Sequence, residues 1–122
     1  MPRYEGGDFA PPAPVARVLV RGPGDGFSPD VPLLIDTGAD VSILPRHVVD
    51  GVGAPIEASN VRIRLYDGTE AACDTAELTV EIFRYRFHAT FIVLDSEYGL
   101  LGRNILNLLL VTLDGPRESW SV

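Results

Sequence analysis

Two carboxylates, Asp36 and Asp40, lie in the stretch Leu33-Leu34-Ile35-Asp36-Thr37-Gly38-Ala39-Asp40, directly after an aliphatic run and before another, Val41, Ile43 and Leu44. A carboxylate so flanked is at least partly desolvated, which costs free energy unless something compensates. Its chemistry is general acid–base work, because burial and neighbouring charge decide which protonation state it holds. In most chains an acid after a strand is a turn former or a helix cap. Three features set Asp36 apart. Thr37 and Gly38 put a hydroxyl and a glycine beside it, one able to hold the backbone and the other letting a second main chain approach. The apolar run before it implies a buried strand and therefore a rigid backbone position. Far downstream stands a second apolar-glycine element, Leu100-Leu101-Gly102, followed by Arg103-Asn104.

Other chemistries have less to work with. The histidines, His47 and His88, are far apart, and Cys73 is the only cysteine, so no metal-ligand cluster of familiar spacing exists. No G-x-S-x-G elbow is present. Cys73 with His88 as base has no local support, and a single small cysteine in a strand is usually packing. The glycines from Gly22 to Gly26 do not follow a strand, Gly-rich loop, helix order and read as a turn.

The elements that position the acids are mostly short strands. Residues 1–14 hold four of the ten prolines and a Gly-Gly pair, and read as a flexible N-terminal arm ahead of a single domain over 15–122. Val15 to Arg21 alternates as a strand, Gly22 to Asp30 is turn-rich, and Val31 to Ile35 is a strand buried on both faces. Val41 to Leu44 is another short strand, and Pro45 opens a helical turn through His47, Val48 and Val49. Val61, Ile63 and Leu65 alternate with Arg62, Arg64 and Tyr66 before Asp67-Gly68, a strong hairpin signal. The returning arm runs to about Thr75, followed by alternation at Leu78, Val80 and Ile82, a bend at Arg84-Tyr85-Arg86, and a strand from Phe87 to Leu94. Gly99 to Gly102 is a tight apolar element, Arg103 to Asn107 a short helix, and Leu108 to Leu113 a final strand. Many short strands with frequent turns describe an all-β sandwich or barrel.

Bulk properties narrow the partners. The 122 residues form one domain with a modest core. Seventeen acids against ten bases, all arginine, give a net charge of −7, which disfavours nucleic acid and anionic membrane surfaces. No apolar run is long enough to span a bilayer, and the first residues lack a signal-peptide apolar core. With a single cysteine, the expectation is a cytoplasmic protein, whether whole or a piece of a longer chain.

The stretches Leu33-Leu34-Ile35-Asp36-Thr37-Gly38-Ala39-Asp40 and Gly99-Leu100-Leu101-Gly102-Arg103-Asn104-Ile105-Leu106, with a hairpin from Val61 to Thr75 between them, resemble the retropepsin family: aspartic proteases of the retroviral type and their cellular and bacterial relatives. The resemblance covers roughly Val15 to Gly115 in order and spacing. It implies a closed or partly open β-barrel of the acid-protease type, with one short C-terminal helix and a β-hairpin flap. It implies an aspartic endopeptidase that works as a homodimer on a peptide or protein substrate, without metal or cofactor. Each subunit gives one aspartate to a dyad that shares one proton, titrates as a unit and activates a water. Carried onto this chain, Asp36 is the catalytic acid, Thr37 ties the two active loops together across the two-fold axis, and Gly38 presents backbone to substrate. Asp40 binds substrate main chain and Arg103 braces it, although an ordinary surface ion pair, worth little, explains those two residues as well. Leu34, Ala39 and Leu100 line the pocket beside the scissile bond.

The hairpin departs from the viral pattern. Viral flaps are glycine-rich at the tip, whereas here the tip is Leu65-Tyr66-Asp67-Gly68-Thr69-Glu70, with only Gly68 available for close main-chain contact. Tyr66 ahead of Gly68-Thr69 is similar to the tyrosine-bearing flap of pepsin-like enzymes, so Tyr66 and Gly68 are expected to touch substrate. The acidic tip either suits basic or polar substrates or keeps the edge soluble. Asp74-Thr75 is followed by Ala76 and Asp95-Ser96 by Glu97, so no second D-[TS]-G copy exists and an active enzyme needs two chains. The N-terminal arm and Leu113 to Val122 are the expected interface strands, with Trp120 as an anchor. Two other functions compete: a non-catalytic dimerisation or peptide-binding module of the same fold, and a small-ligand β-barrel.

Overall fold

The computed structural model describes residues 1–64 and 67–122. Strand β1 (Val15–Arg21) buries Val15, Ala16, Val18 and Val20 and exposes Arg17 and Arg21, as its alternation requires. It pairs antiparallel with β2 (Phe27–Ile35), with a bulge between Val18 and Val20. β2 therefore begins inside the stretch expected to be a loop, and Asp30 within it takes a left-handed φ of 59°. Short β3 (Ile43–Pro45) leads into α1 (Arg46–Gly51). Next come β4 (Glu57–Arg64), β5 (Glu70–Ile82) and β6 (Tyr85–Leu94). β7 (Gly99–Leu101) and α2 (Arg103–Leu106) follow, and then the hairpin of β8 (Thr112–Asp114) and β9 (Ser119–Ser121).

Six strands close a ring in the order β1-β2-β7-β3-β6-β5, and β5 returns to β1 through Thr79–Glu81 against Leu19–Arg21. Closure removes the exposed edges that an open sheet of this size would leave. The inward faces meet in a core of Leu33, Leu44, Leu78, Val80, Phe91, Leu101 and Ile105, all fully buried. Each such side chain contributes about 1.5–3 kcal/mol relative to exposure.

β4 lies outside the ring and, among the described residues, pairs only with β5, so the two form a projecting hairpin. The sequence suggests a break near Thr75, but β5 is one strand of 13 residues. Its first half pairs with β4 and its second with β6 and β1, which joins the hairpin directly to the barrel wall. At the hairpin turn Gly68 has φ +85°, a value glycine takes without strain. The tip residues Leu65 and Tyr66 lie outside the described residues.

β7 inserts between β2, to which it is parallel, and β3, to which it is antiparallel. The segment from Asp36 to Ser42 that joins β2 to β3 must therefore pass over the C-terminal end of β7. This crossing brings the two motifs of the sequence together.

The helical turn expected after Pro45 runs to Gly51 as α1, and the short C-terminal helix is α2. Several expectations change at the ends. The apolar run from Leu108 is not a strand until Thr112; Leu108 and Leu110 are exposed rather than paired. Trp120, expected to anchor an interface, is 2% exposed within its own chain, where it packs on Phe83. The N-terminal residues lie against it: Trp120 N–H donates to the Pro2 carbonyl and Tyr4 N–H to Glu118. Glu5 and Ala13 exchange backbone hydrogen bonds, and Glu5 takes a two-pronged ion pair from Arg17 of β1.

Candidate active site

Asp36 is the first residue after β2. Its N–H donates to the Leu101 carbonyl at 3.0 Å, so the end of β7 fixes its main chain. The Gly38 N–H donates to Asp36 Oδ1 at 2.9 Å, and the Ala39 N–H donates to the Asp36 carbonyl at 3.2 Å. The side chain is half-buried, and no cation pairs with it among the described residues. One carboxylate oxygen is thus held by the loop's own backbone while Oδ2 makes no hydrogen bond among the described residues. That geometry suits a carboxylate that must handle a proton rather than neutralise a neighbour.

Arg103, the first residue of α2, ties the loop from its other side. One Nη donates to the Asp40 carboxylate and the other to the Thr37 carbonyl at 2.7 Å, while the Arg103 N–H donates to the Ala39 carbonyl at 2.9 Å. The pair itself is exposed, so its electrostatic worth is small. Its effect is geometric, because a single guanidinium grips both ends of the turn. Thr37 and Gly38 are exposed at the crest of that turn.

Beneath the loop lies a network that sequence reasoning missed. Ser42 is fully buried; its Oγ accepts from the Gly102 N–H at 2.8 Å and donates to Asn104 Oδ1 at 2.8 Å. The Ser42 N–H donates to the same Asn104 oxygen at 2.9 Å, and Asn104 Nδ2 reaches the Thr90 carbonyl at 3.3 Å. Gly102 is required here by close approach: a Cβ would stand 2.8 Å from the Val41 carbonyl carbon and 2.9 Å from the Ala39 oxygen. A lone serine and a lone asparagine carry no periodic signal, although Asn104 stood inside the second motif.

Beside the loop runs a groove of about 650 Å³. Gly38, Ala39, Asp40 and Val41 form one wall, Ile43, Ile92 and Leu100 the floor, and Val61, Arg62, Ile63 and Arg64 of β4 the other wall. Ala39, Asp40 and Leu100 of the expected substrate-contacting set are thus brought together. Leu34 sits in register beside Leu100 and is half-buried, but does not line the groove. Gly68 is exposed at the hairpin turn, and Tyr66 is outside the described residues. Asp67 turns back on its own loop, its Oδ1 accepting from the Thr69 hydroxyl and N–H; the hydroxyl bond foremost, then the backbone one, holds its carboxyl below the usual range.

A family model described as aspartyl protease matches residues 18–105, nearly the whole barrel with both motifs. The chain belongs to the aspartyl protease family. Among solved structures, this aspartyl protease is similar to EIAV protease complexed with the inhibitor HBY-793, with a TM-score of 0.63 and 22% identity over 78% of this chain and 86% of that one. It is also similar to the solution structure of simian foamy virus (mac) protease, with a TM-score of 0.55 and 18% identity over 77% of this chain and 92% of that one. At these identities the structures establish a common retroviral-protease fold, and family membership makes the chain an aspartic endopeptidase.

Proposed function

We propose that the active enzyme is a homodimer in which Asp36 from each copy forms one water-activating dyad. The observation that carries this reading is the state of Asp36: rigidly placed, half-buried, with one oxygen held by Gly38 and no cation beside it among the described residues. A single D-T-G per chain leaves the second carboxylate to a second chain. Two carboxylates brought together about a two-fold axis share one proton. The ionised member takes a proton from the bound water as that water attacks the scissile carbonyl carbon. The protonated member gives its proton to the carbonyl oxygen. Collapse of the tetrahedral intermediate passes a proton to the leaving amine, with no covalent enzyme intermediate. Thr37, exposed at the crest, holds the two loops together; Gly38 and Asp40 bind substrate main chain; Arg103 fixes the turn that presents them.

The β8 edge supports the dimer. β9 is covered by β8 on one side and by Arg3 on the other, whereas β8 has no second neighbour among the described residues. Leu108, Leu110 and Leu113 are 66%, 83% and 50% exposed around it. An open edge flanked by bare leucines suits self-pairing about a two-fold axis.

The test is peptide-library digestion in mildly acid buffer with wild type and Asp36→Asn. Wild type cleaves and is inhibited by a pepstatin-like transition-state mimic; Asp36→Asn does not cleave, with unchanged circular dichroism and sedimentation. Cleavage that survives the substitution overturns the assignment, and binding without turnover in wild type favours the peptide-binding module.

A further inference from the structure

The groove carries a charge pattern that selects its occupant. In a chain of net charge −7, Arg62 and Arg64 both line it. The groove's acid, Asp40, is already paired with Arg103. Among the described residues Arg62 has no ion pair, and Arg64 reaches Glu70 only at 3.8 Å. Charged side chains on an outer strand also guard against edge pairing. That role asks only for exposure, not for two arginines along a groove wall. The rest of the lining is largely apolar, with Ala39 and Val41 of the loop and Ile43, Ile92 and Leu100 of the floor. The acidic tip offsets the arginines only in part: Asp67 is turned onto Thr69, and Glu70 faces Arg64 across the hairpin at 3.8 Å, while Arg62 has no acid beside it among the described residues.

Residues two apart on a strand share a face at a spacing of roughly 6.6 Å, the same repeat an extended peptide presents. We propose that the substrates are peptides carrying an apolar side chain next to the scissile bond and acidic side chains beyond it, received by Arg62 and Arg64. The two-fold axis repeats the half-groove, so acidic residues are preferred on both sides of the bond. The inference rests on the homodimeric protease reading.

The experiment compares matched peptides with Glu, Gln or Lys at the flanking positions. For wild type at pH 5.5 to 6 and low salt, kcat/KM favours Glu over Gln by roughly three- to tenfold, as exposed ion pairs allow, and Lys ranks last. The Glu-to-Gln ratio falls toward one in about 1 M salt, and as the pH drops below about 4 and the peptide carboxylates protonate. In the Arg62→Gln, Arg64→Gln double variant the ratio is near one at every pH. Equal rates for Glu and Gln, or preference for Lys, overturn the inference while leaving the protease intact. Should no peptide of any sequence be cleaved, the protease reading fails. Fluorescence anisotropy of the labelled peptides on the Asp36→Asn chain then decides the charge preference independently, with equal affinities overturning it.

Discussion

Removing the Ser42 hydroxyl tests whether the buried network holds the active loop. Ser42→Ala deletes the 2.8 Å bond to Asn104 and leaves the buried Gly102 N–H without its acceptor. A net hydrogen bond is worth about 1 kcal/mol, and an orphaned buried donor costs about 1–3 kcal/mol, so the expected destabilisation is roughly 2–4 kcal/mol. That is a large share of a total stability of about 5–15 kcal/mol, and lowers Tm by on the order of 6–15 °C. Urea denaturation at fixed protein concentration reads it as a lower midpoint with an unchanged slope. Asn104→Ala removes the other side of the network, and the double variant is less destabilised than the sum of the singles, with coupling of about 1 kcal/mol or more. A Ser42→Ala protein within about 0.5 kcal/mol of wild type, or strictly additive singles, refutes the reasoning.

Gly102→Ala forces a methyl against the backbone of Ala39, Val41 and Ser42, so it destabilises by about 1–3 kcal/mol and lowers peptide cleavage as the loop shifts; denaturation and kcat/KM at one concentration check both. Glu5 is held below its ordinary value near 4.5, chiefly by the Arg17 hydrogen bond and also by its charge. The lowered folded value means the stabilisation is complete above that ordinary value and is lost as pH falls through the lowered one. Trp120 fluorescence, which reports on the docked N-terminal residues, changes on that acid side in wild type and loses this step in Arg17→Gln; an identical titration in both contradicts it. Leu110→Arg, at a side chain 83% exposed, leaves the fold within about 0.5 kcal/mol but weakens the dimer in sedimentation; an unaltered dimer argues against the β8 edge.

Much of this architecture is legible residue by residue. β1 follows directly from the alternation of VARVLVR, and the two motifs mark where loop and α2 meet. What escapes notice depends on partners distant in sequence. Phe27 to Asp30 contains Pro29 and a left-handed Asp30, which read as a turn, yet pairing with β1 makes it strand. The returning arm reads as a strand to about Thr75, but Ala76 and Glu77 are weak strand formers and read as a break, and pairing with Phe91 and Thr90 of β6 carries β5 through them. Leu108 to Leu113 fails the other way: its apolar run reads as a strand, but Leu109 and Val111 pack on the core from irregular chain while Leu108, Leu110 and Leu113 stay exposed. Trp120 signals a contact without saying with what, and its own Phe83 and N-terminal residues supply it. Ser42 and Asn104 act through single hydrogen bonds, which leave no pattern in one sequence.

A mixing titration tests the shared dyad most directly. Asp36→Asn chains are added to wild type at constant total protein, with time for subunits to exchange, and peptide cleavage is followed. If each site needs one aspartate from each of two copies, activity falls as the square of the wild-type fraction, to about one quarter at equal amounts. A linear fall to about one half under the same exchange means that each chain cuts with its own machinery, and the paired-carboxylate account is wrong.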